Sequence, residues 1–133
     1  QGIAGGVQLG ACTSSNTRFI DPVLDLFGPT RTAQFAFDHA GDCVARKKPD
    51  PEIYELAKQS LGLPARQCVV IEDSRNGLLA AKGAGLPCLI TTSTYTVDED
   101  FSEADRVVPE LGDAPNINVT LADLGELAAE FAA

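Results

Sequence analysis

Val69-Val70-Ile71-Glu72-Asp73-Ser74-Arg75-Asn76-Gly77-Leu78 is the stretch that decides the fold. Its three aliphatic residues, with Cys68 in front of them, predict a short strand buried on both faces, as in the interior of a parallel sheet. Two adjacent carboxylates, Glu72 and Asp73, stand where that strand ends. Ser74 or Asp73 is suited to cap the next helix, whose Ala- and Leu-rich body runs from Leu78 to Ala84 and stops at Gly85, before Pro87. Ligands of open α/β sheets bind at the carboxyl ends of strands, so the two carboxylates occupy the place of a site. Paired hard oxygen donors suit Mg²⁺, which takes one or two protein carboxylates and leaves positions for water and phosphate. The pair alone is equally consistent with a helix cap beside a solvated glutamate.

Upstream, Arg46-Lys47-Lys48-Pro49-Asp50-Pro51 opens a second helix, with Asp50 as cap, Pro51 as first helical residue and Glu52 facing the positive end of the dipole. Ile53, Leu56, Ala57 and Leu61 form its apolar stripe, and Gly62 ends it. Taken alone, the Arg46-Lys47-Lys48 run reads as a solvated basic patch. Near the start of the chain, Val7 to Cys12 predicts a first strand, followed by the small polar residues Thr13-Ser14-Ser15-Asn16. A helix carrying Ile20, Val23, Leu24 and Phe27 comes next, with Pro22 near its start and Gly28-Pro29 at its end. Phe35 to Phe37 predicts a second strand and places His39 in the loop after it. Cys88 to Thr91 and Arg106 to Val108 predict two more strands, the latter at an edge, and Leu121 to Phe131 a closing helix. Asp98-Glu99-Asp100 reads as a solvated acidic face. Strand and helix alternate throughout, which predicts a three-layer α/β fold with a parallel sheet and helices on both faces.

The chain has 133 residues, 44% of them hydrophobic and 22% charged, the composition of one folded domain or part of one. Ten basic residues against 19 acidic ones give a net charge of -9, which argues against a nucleic-acid or anionic-membrane partner. No apolar run reaches the length of a membrane span. Cys12, Cys43, Cys68 and Cys88 lack C-x-x-C spacing and read as reduced, buried thiols of an intracellular protein. The chain begins at Gln1 and contains no methionine, as expected of an internal fragment or processed product.

Three polar clusters fall at comparable places: the hydroxyls of Thr13, Ser14 and Ser15, the ammonium of Lys48, and the Glu72-Asp73 pair. Hydroxyls and backbone N–H groups receive an anion, the lysine adds a point charge, and the carboxylates add a metal. Together they describe a phosphoryl site, where positioning and charge stabilisation supply most of the catalysis.

The order Thr-Ser-Ser, then Lys-Pro-Asp-Pro, then Glu-Asp-Ser-x-x-Gly-x-x-Ala-Ala-x-x-Ala-Gly resembles the second, third and fourth motifs of the haloacid dehalogenase superfamily. It is similar to the branch of β-phosphoglucomutases and sugar-phosphate phosphatases. Ala40-Gly41-Asp42, Tyr95-Thr96, Glu99-Asp100-Phe101 and Leu111-Gly112-Asp113 narrow the likeness to CbbY-type phosphatases. The resemblance implies a Rossmann-like core with a helical cap that closes over the substrate. It implies that Thr13 hydrogen-bonds the transferring phosphoryl group with Ser14 and Ser15 beside it, and that Lys48 neutralises the nucleophile and phosphoryl oxygens. Asp73 would bind Mg²⁺ directly, and Glu72 directly or through water.

The family's nucleophilic and acid/base aspartates lie in a D-x-D motif at the end of its first strand, which is central in the sheet. This sequence has no D-x-D followed by Gly-Thr or Gly-Val; Asp98-Glu99-Asp100 follows a polar loop. The chain is therefore expected to be the C-terminal part of a phosphatase core, with nucleophile, central strand and cap upstream of Gln1. Alone it is expected to be inactive and marginally stable. The expected substrate is a small sugar phosphate, a bisphosphate such as xylulose 1,5-bisphosphate being favoured by the CbbY likeness. The alternatives are a phosphomutase on the same core and a non-catalytic relic or phosphate-binding module. The expected location is the chloroplast stroma in a photosynthetic eukaryote and otherwise the cytoplasm.

Overall fold

A computed structural model describes residues 7–15, 18, 35–113 and 115–131. The helix expected around Ile20 to Phe27 lies outside the described residues. Strands β1 (Leu9–Cys12) and β2 (Phe35–His39) pair in parallel as one sheet, and β3 (Val70–Glu72), β4 (Cys88–Thr91) and β5 (Arg106–Val108) form a second, also parallel, in the order β3-β4-β5. Helices α1 (Glu52–Leu61), α2 (Arg75–Gly83) and α3 (Leu121–Phe131) complete an incomplete Rossmann-like α/β core.

Local chemistry accounts for most boundaries. The N-cap of α1 is Pro51 and its first residue Glu52, one position later than expected; Asp50 lies just outside, its Oδ1 accepting the Glu52 N–H at 3.0 Å in a turn that leads into the helix. Gly62 takes φ +63°, and its N–H donates to the Lys58 carbonyl, closing the helix in the left-handed turn that glycine adopts without strain. For α2 the choice between Ser74 and Asp73 resolves to Ser74, whose hydroxyl accepts the Gly77 N–H at 3.2 Å. Asp73 is thereby left exposed and available. His39 is the last residue of β2 and no loop residue; it stacks on Phe37, and its Nε2 meets the Ser60 hydroxyl at 2.9 Å.

The core lies where α1 and α2 cover β3 and β4. Ile53, Leu78, Leu89 and Ile90 are fully buried, and Ala80, Ala81 and Ala84 let α2 approach closely. Burial of each large side chain contributes roughly 1.5–3 kcal/mol. The inward face of α1 carries Ile53, Tyr54 and Ala57, so Tyr54 takes the place the sequence pattern gave to Leu56.

The expectation of a β3 buried on both faces fails at Ile71, which is 42% exposed, and Leu9 on β1 is 37% exposed. Among the described residues β1 pairs only with β2, and β3 only with β4. Between the two sheets lies an apolar trough of about 740 Å³, lined by Val7, Leu9 and Cys12 on one side and by Val69, Val70 and Ile71 on the other. Tyr54 and Ala57 of α1 and Leu124 and Ala128 of α3 also reach it. Ile71 is therefore exposed to an apolar trough, where no neighbouring strand among the described residues covers it.

All four thiols are free, but the expected burial holds fully for Cys88 alone: Cys12 and Cys68 are half-buried and Cys43 is exposed. Burial pushes Cys12 up to about 11 and Cys88 up to about 12 from an ordinary 9.0. A thiol whose pKa rises on folding contributes stability that is complete below pH 9 and lost as pH climbs through the folded value. Alkylation at pH 7.5 is expected to modify Cys43 first, with Cys12 slower by about two and Cys88 by about three orders of magnitude than an unburied thiol until the chain unfolds. Peptide mapping over a time course of iodoacetamide treatment checks this.

Candidate active site

The polar residues gather at the carboxyl ends of β1 and β3. Thr13 follows β1, and its N–H donates to the His39 carbonyl at 2.9 Å, so the end of β2 holds the turn. Thr13 Oγ1 accepts the Ser15 N–H at 3.2 Å, bending the chain back, and the Ser15 carbonyl accepts the Gly41 N–H. A Cβ on Gly41 would stand 2.2 Å from the Ser14 carbonyl oxygen, so this backbone contact requires glycine. Ser14 and Ser15 are exposed, and Thr13 is half-buried.

Lys48 joins this turn to the carboxylates. Its Nζ donates to the Cys12 carbonyl at 3.1 Å and to Oε1 of Glu72. Both side chains are only 8% exposed, so the pair is a buried one whose partners depend on each other. The Tyr54 hydroxyl donates to the same Glu72 oxygen, and the Tyr54 ring lies 5.1 Å from the lysine nitrogen. Burial, then the charge and hydrogen bond of Glu72, push the Tyr54 hydroxyl far above its ordinary value, so it remains a donor. The opposite oxygen of Glu72 lies over the backbone of Gly77, where a Cβ would approach to 2.0 Å. Asp73, one residue on, is exposed.

The basic run separates into distinct roles. Arg46 pairs with Asp50 at 3.1 Å and Glu52 at 3.3 Å on the surface, and Glu52 accepts the N–H groups of Ala45 and Arg46. Lys48 alone turns inward. The acidic run is also more than a solvated face: Glu99 accepts the Arg75 N–H at the start of α2, and the Arg75 guanidinium reaches Glu103 at 2.9 Å. These contacts fasten the loop after β4 to the helix that follows Asp73.

Of the expected residues, Lys48 and Glu72 are in direct contact, Thr13 is joined to them through Cys12, and Asp73 stands beside Glu72. Tyr54 is the residue that sequence reasoning missed. Its signal was a phenol one residue along from Ile53 on a buried face, since a buried hydroxyl requires a polar partner.

Residues 4–85 match the haloacid dehalogenase-like hydrolase family. The chain belongs to that family. Within it the sequence is CbbY-like: it is 44% identical over 128 residues to the CBBY-like protein of Arabidopsis thaliana, covering 96% of this chain and 40% of that protein. To protein CbbY of Cereibacter sphaeroides it is 40% identical over 119 residues, covering 86% of this chain and 52% of the relative. A crystal structure of a CbbY variant from Rhodobacter sphaeroides in complex with xylulose-(1,5)bisphosphate superimposes with a TM-score of 0.79 at 37% identity, over 91% of this chain and 52% of that one. The chain thus spans about half the length of these haloacid dehalogenase-like relatives.

The donor set fits Mg²⁺ in part. Asp73 offers a free carboxylate, whereas Glu72 has one oxygen committed to Lys48 and Tyr54. Among the described residues there is no cluster of three potential metal ligands, so the remaining positions would fall to water, phosphate or other residues.

Proposed function

We propose that this chain is the C-terminal part, over residues 1–133, of the core domain of a Mg²⁺-dependent phosphatase that hydrolyses a small sugar phosphate. The observation that carries the reading is the double engagement of Lys48, which draws the end of β1 and the Glu72-Asp73 pair to one point. In this reading Thr13, Ser14 and Ser15 bind the phosphoryl oxygens through hydroxyl and backbone N–H groups. The Lys48 ammonium neutralises charge on the phosphoryl group and its attacker. Asp73 holds Mg²⁺, with Glu72 contributing directly or through water. The metal, when bound, supplies positive charge against which the phosphoryl oxygens are oriented.

The attacking group is an aspartate upstream of Gln1. Its carboxylate oxygen bonds to phosphorus as the sugar alkoxide leaves, and water then releases phosphate and restores the aspartate. A strand ending in that aspartate would fill the trough between β1 and β3. Xylulose 1,5-bisphosphate is the substrate favoured by the likeness to CbbY, a bisphosphate of which one end binds here. No nucleic-acid or anionic-membrane partner is called for in this reading, which the net charge of -9 supports; no described helix is long and apolar enough to cross a membrane. The protein would act in the chloroplast stroma of a photosynthetic eukaryote or otherwise in the cytoplasm.

Asp73→Asn in the complete protein tests the metal role. The substitution removes the charged ligand while keeping its size, and is expected to lower turnover at least about a hundredfold and to weaken Mg²⁺ binding in calorimetry. Undiminished turnover or unchanged Mg²⁺ affinity would sink the assignment.

A further inference from the structure

We propose that Tyr54 is a positioning residue of the phosphoryl site, its hydroxyl fixing the direction in which the Lys48 ammonium points. The inference rests on the phosphatase reading above.

Tyr54 is 6% exposed, on the inward face of α1. The volume it fills in the core asks only for a ring, and phenylalanine would supply that. A buried hydroxyl is a liability unless it is paired. Here it donates to Glu72 Oε1, the oxygen that also receives Lys48. One oxygen thus holds two donors, and the direction of the carboxylate is set jointly by the phenol and the ammonium.

An ammonium has three N–H groups. Two of those on Lys48 are directed to the Cys12 carbonyl and to Glu72, both fixed points at strand ends. The third is then confined to one direction, and the residue after Cys12 is Thr13, the start of the hydroxyl turn. The ring face 5.1 Å from Nζ closes off another side of the lysine. Glu72 cannot relax toward α2, because its other oxygen already lies against Gly77. Without the phenol proton, Oε1 regains a lone pair, the carboxylate turns, and the lysine that depends on it loses its bearing.

Tyr54→Phe isolates the hydroxyl, since the ring and its contact with the cation remain. The complete protein with its upstream segment is titrated with inorganic phosphate and, separately, with Mg²⁺, as wild type, Tyr54→Phe, Glu72→Gln and the double variant. Tyr54→Phe is expected to weaken phosphate binding about five- to tenfold, the worth of one hydrogen bond, with the fold retained by circular dichroism. In the Glu72→Gln background the same change is expected to cost less than about twofold, because the two residues act as one unit. Equal phosphate affinity in wild type and Tyr54→Phe overturns the role and leaves the site reading intact. An equal loss in both backgrounds also overturns it, since the phenol would then act only through general packing. A wild-type protein that binds Mg²⁺ but no phosphate overturns the site reading and this role with it.

Discussion

Lys48→Met in the complete protein is expected to lower turnover by about 10²–10³ and to destabilise the fold at the same time. The first effect is the loss of a cation aimed at developing charge, for which this range is usual. The second follows from burial. Glu72 is as shielded as Lys48, each side chain 8% exposed, and removing the ammonium leaves its carboxylate with the Tyr54 hydroxyl as its side-chain partner among the described residues. Removing one partner of a buried pair costs about 3–5 kcal/mol, because the survivor keeps its desolvation without its attraction. Steady-state kinetics and a urea melt measure the two effects separately. A variant that loses turnover with an unchanged midpoint would show that Glu72 escapes to solvent. One that keeps turnover would remove Lys48 from the chemistry.

Gly77→Ala is expected to act on the same pair from the opposite side, with no charge altered. The added methyl would stand 2.0 Å from one oxygen of Glu72 and 2.2 Å from its carboxyl carbon, so the carboxylate must move. Its displacement breaks the contacts to Lys48 and Tyr54 together. The expected cost is roughly 1–3 kcal/mol for overpacking against the pair, less about 1 kcal/mol gained from alanine in a helix, or about 0–2 kcal/mol net. Turnover should fall by about two orders of magnitude, since Lys48 loses its anchor. Gly125→Ala is the control. A Cβ there meets nothing within 4 Å, and the α3 helix should gain about 0.5–1 kcal/mol. Thermal melts and kinetics on both variants decide the point; a stabilised, active Gly77→Ala protein would mean that Glu72 is free to move.

The sequence alone made the punctuation of the fold legible, because caps act within a few residues. Gly62 and Ser74 do at their helix ends what those residue types do in any chain, and Asp50 falls one residue outside the cap it was expected to be. The strand Cys88 to Thr91 was legible for a related reason: a continuous apolar run is buried wherever the sheet lies. Apart from small shifts of element ends, as at His39, the misreadings concern contacts between elements. Tyr54 falls within an amphipathic stripe that resembles ordinary core, and only the approach of α1 to the end of β3 gives its hydroxyl a purpose. Ile71 has the composition of a fully covered residue, yet its cover depends on a strand beside it. The acids Asp98-Glu99-Asp100 look solvated until Arg75, distant along the chain, is brought against Glu99 and Asp100. The candidate site was legible in its residue types and their order, but not in the sharing of one Glu72 oxygen between two donors.

The trough between β1 and β3 also bears on how the protein can fold. Among the described residues the two parallel sheets share no ladder, and Lys48, reaching from Cys12 to Glu72, links the end of one to the end of the other. A strand lodged between them would complete two ladders at once, each to residues far away along the chain, and so would be rewarded only after both sheets exist. In a chain made from its N-terminus, such a strand is synthesised first and docked last. Until then its apolar surface and the two open edges are exposed to other chains. The slow and vulnerable step in producing the complete protein would be closure of its sheet, with the candidate site assembled only at that final event.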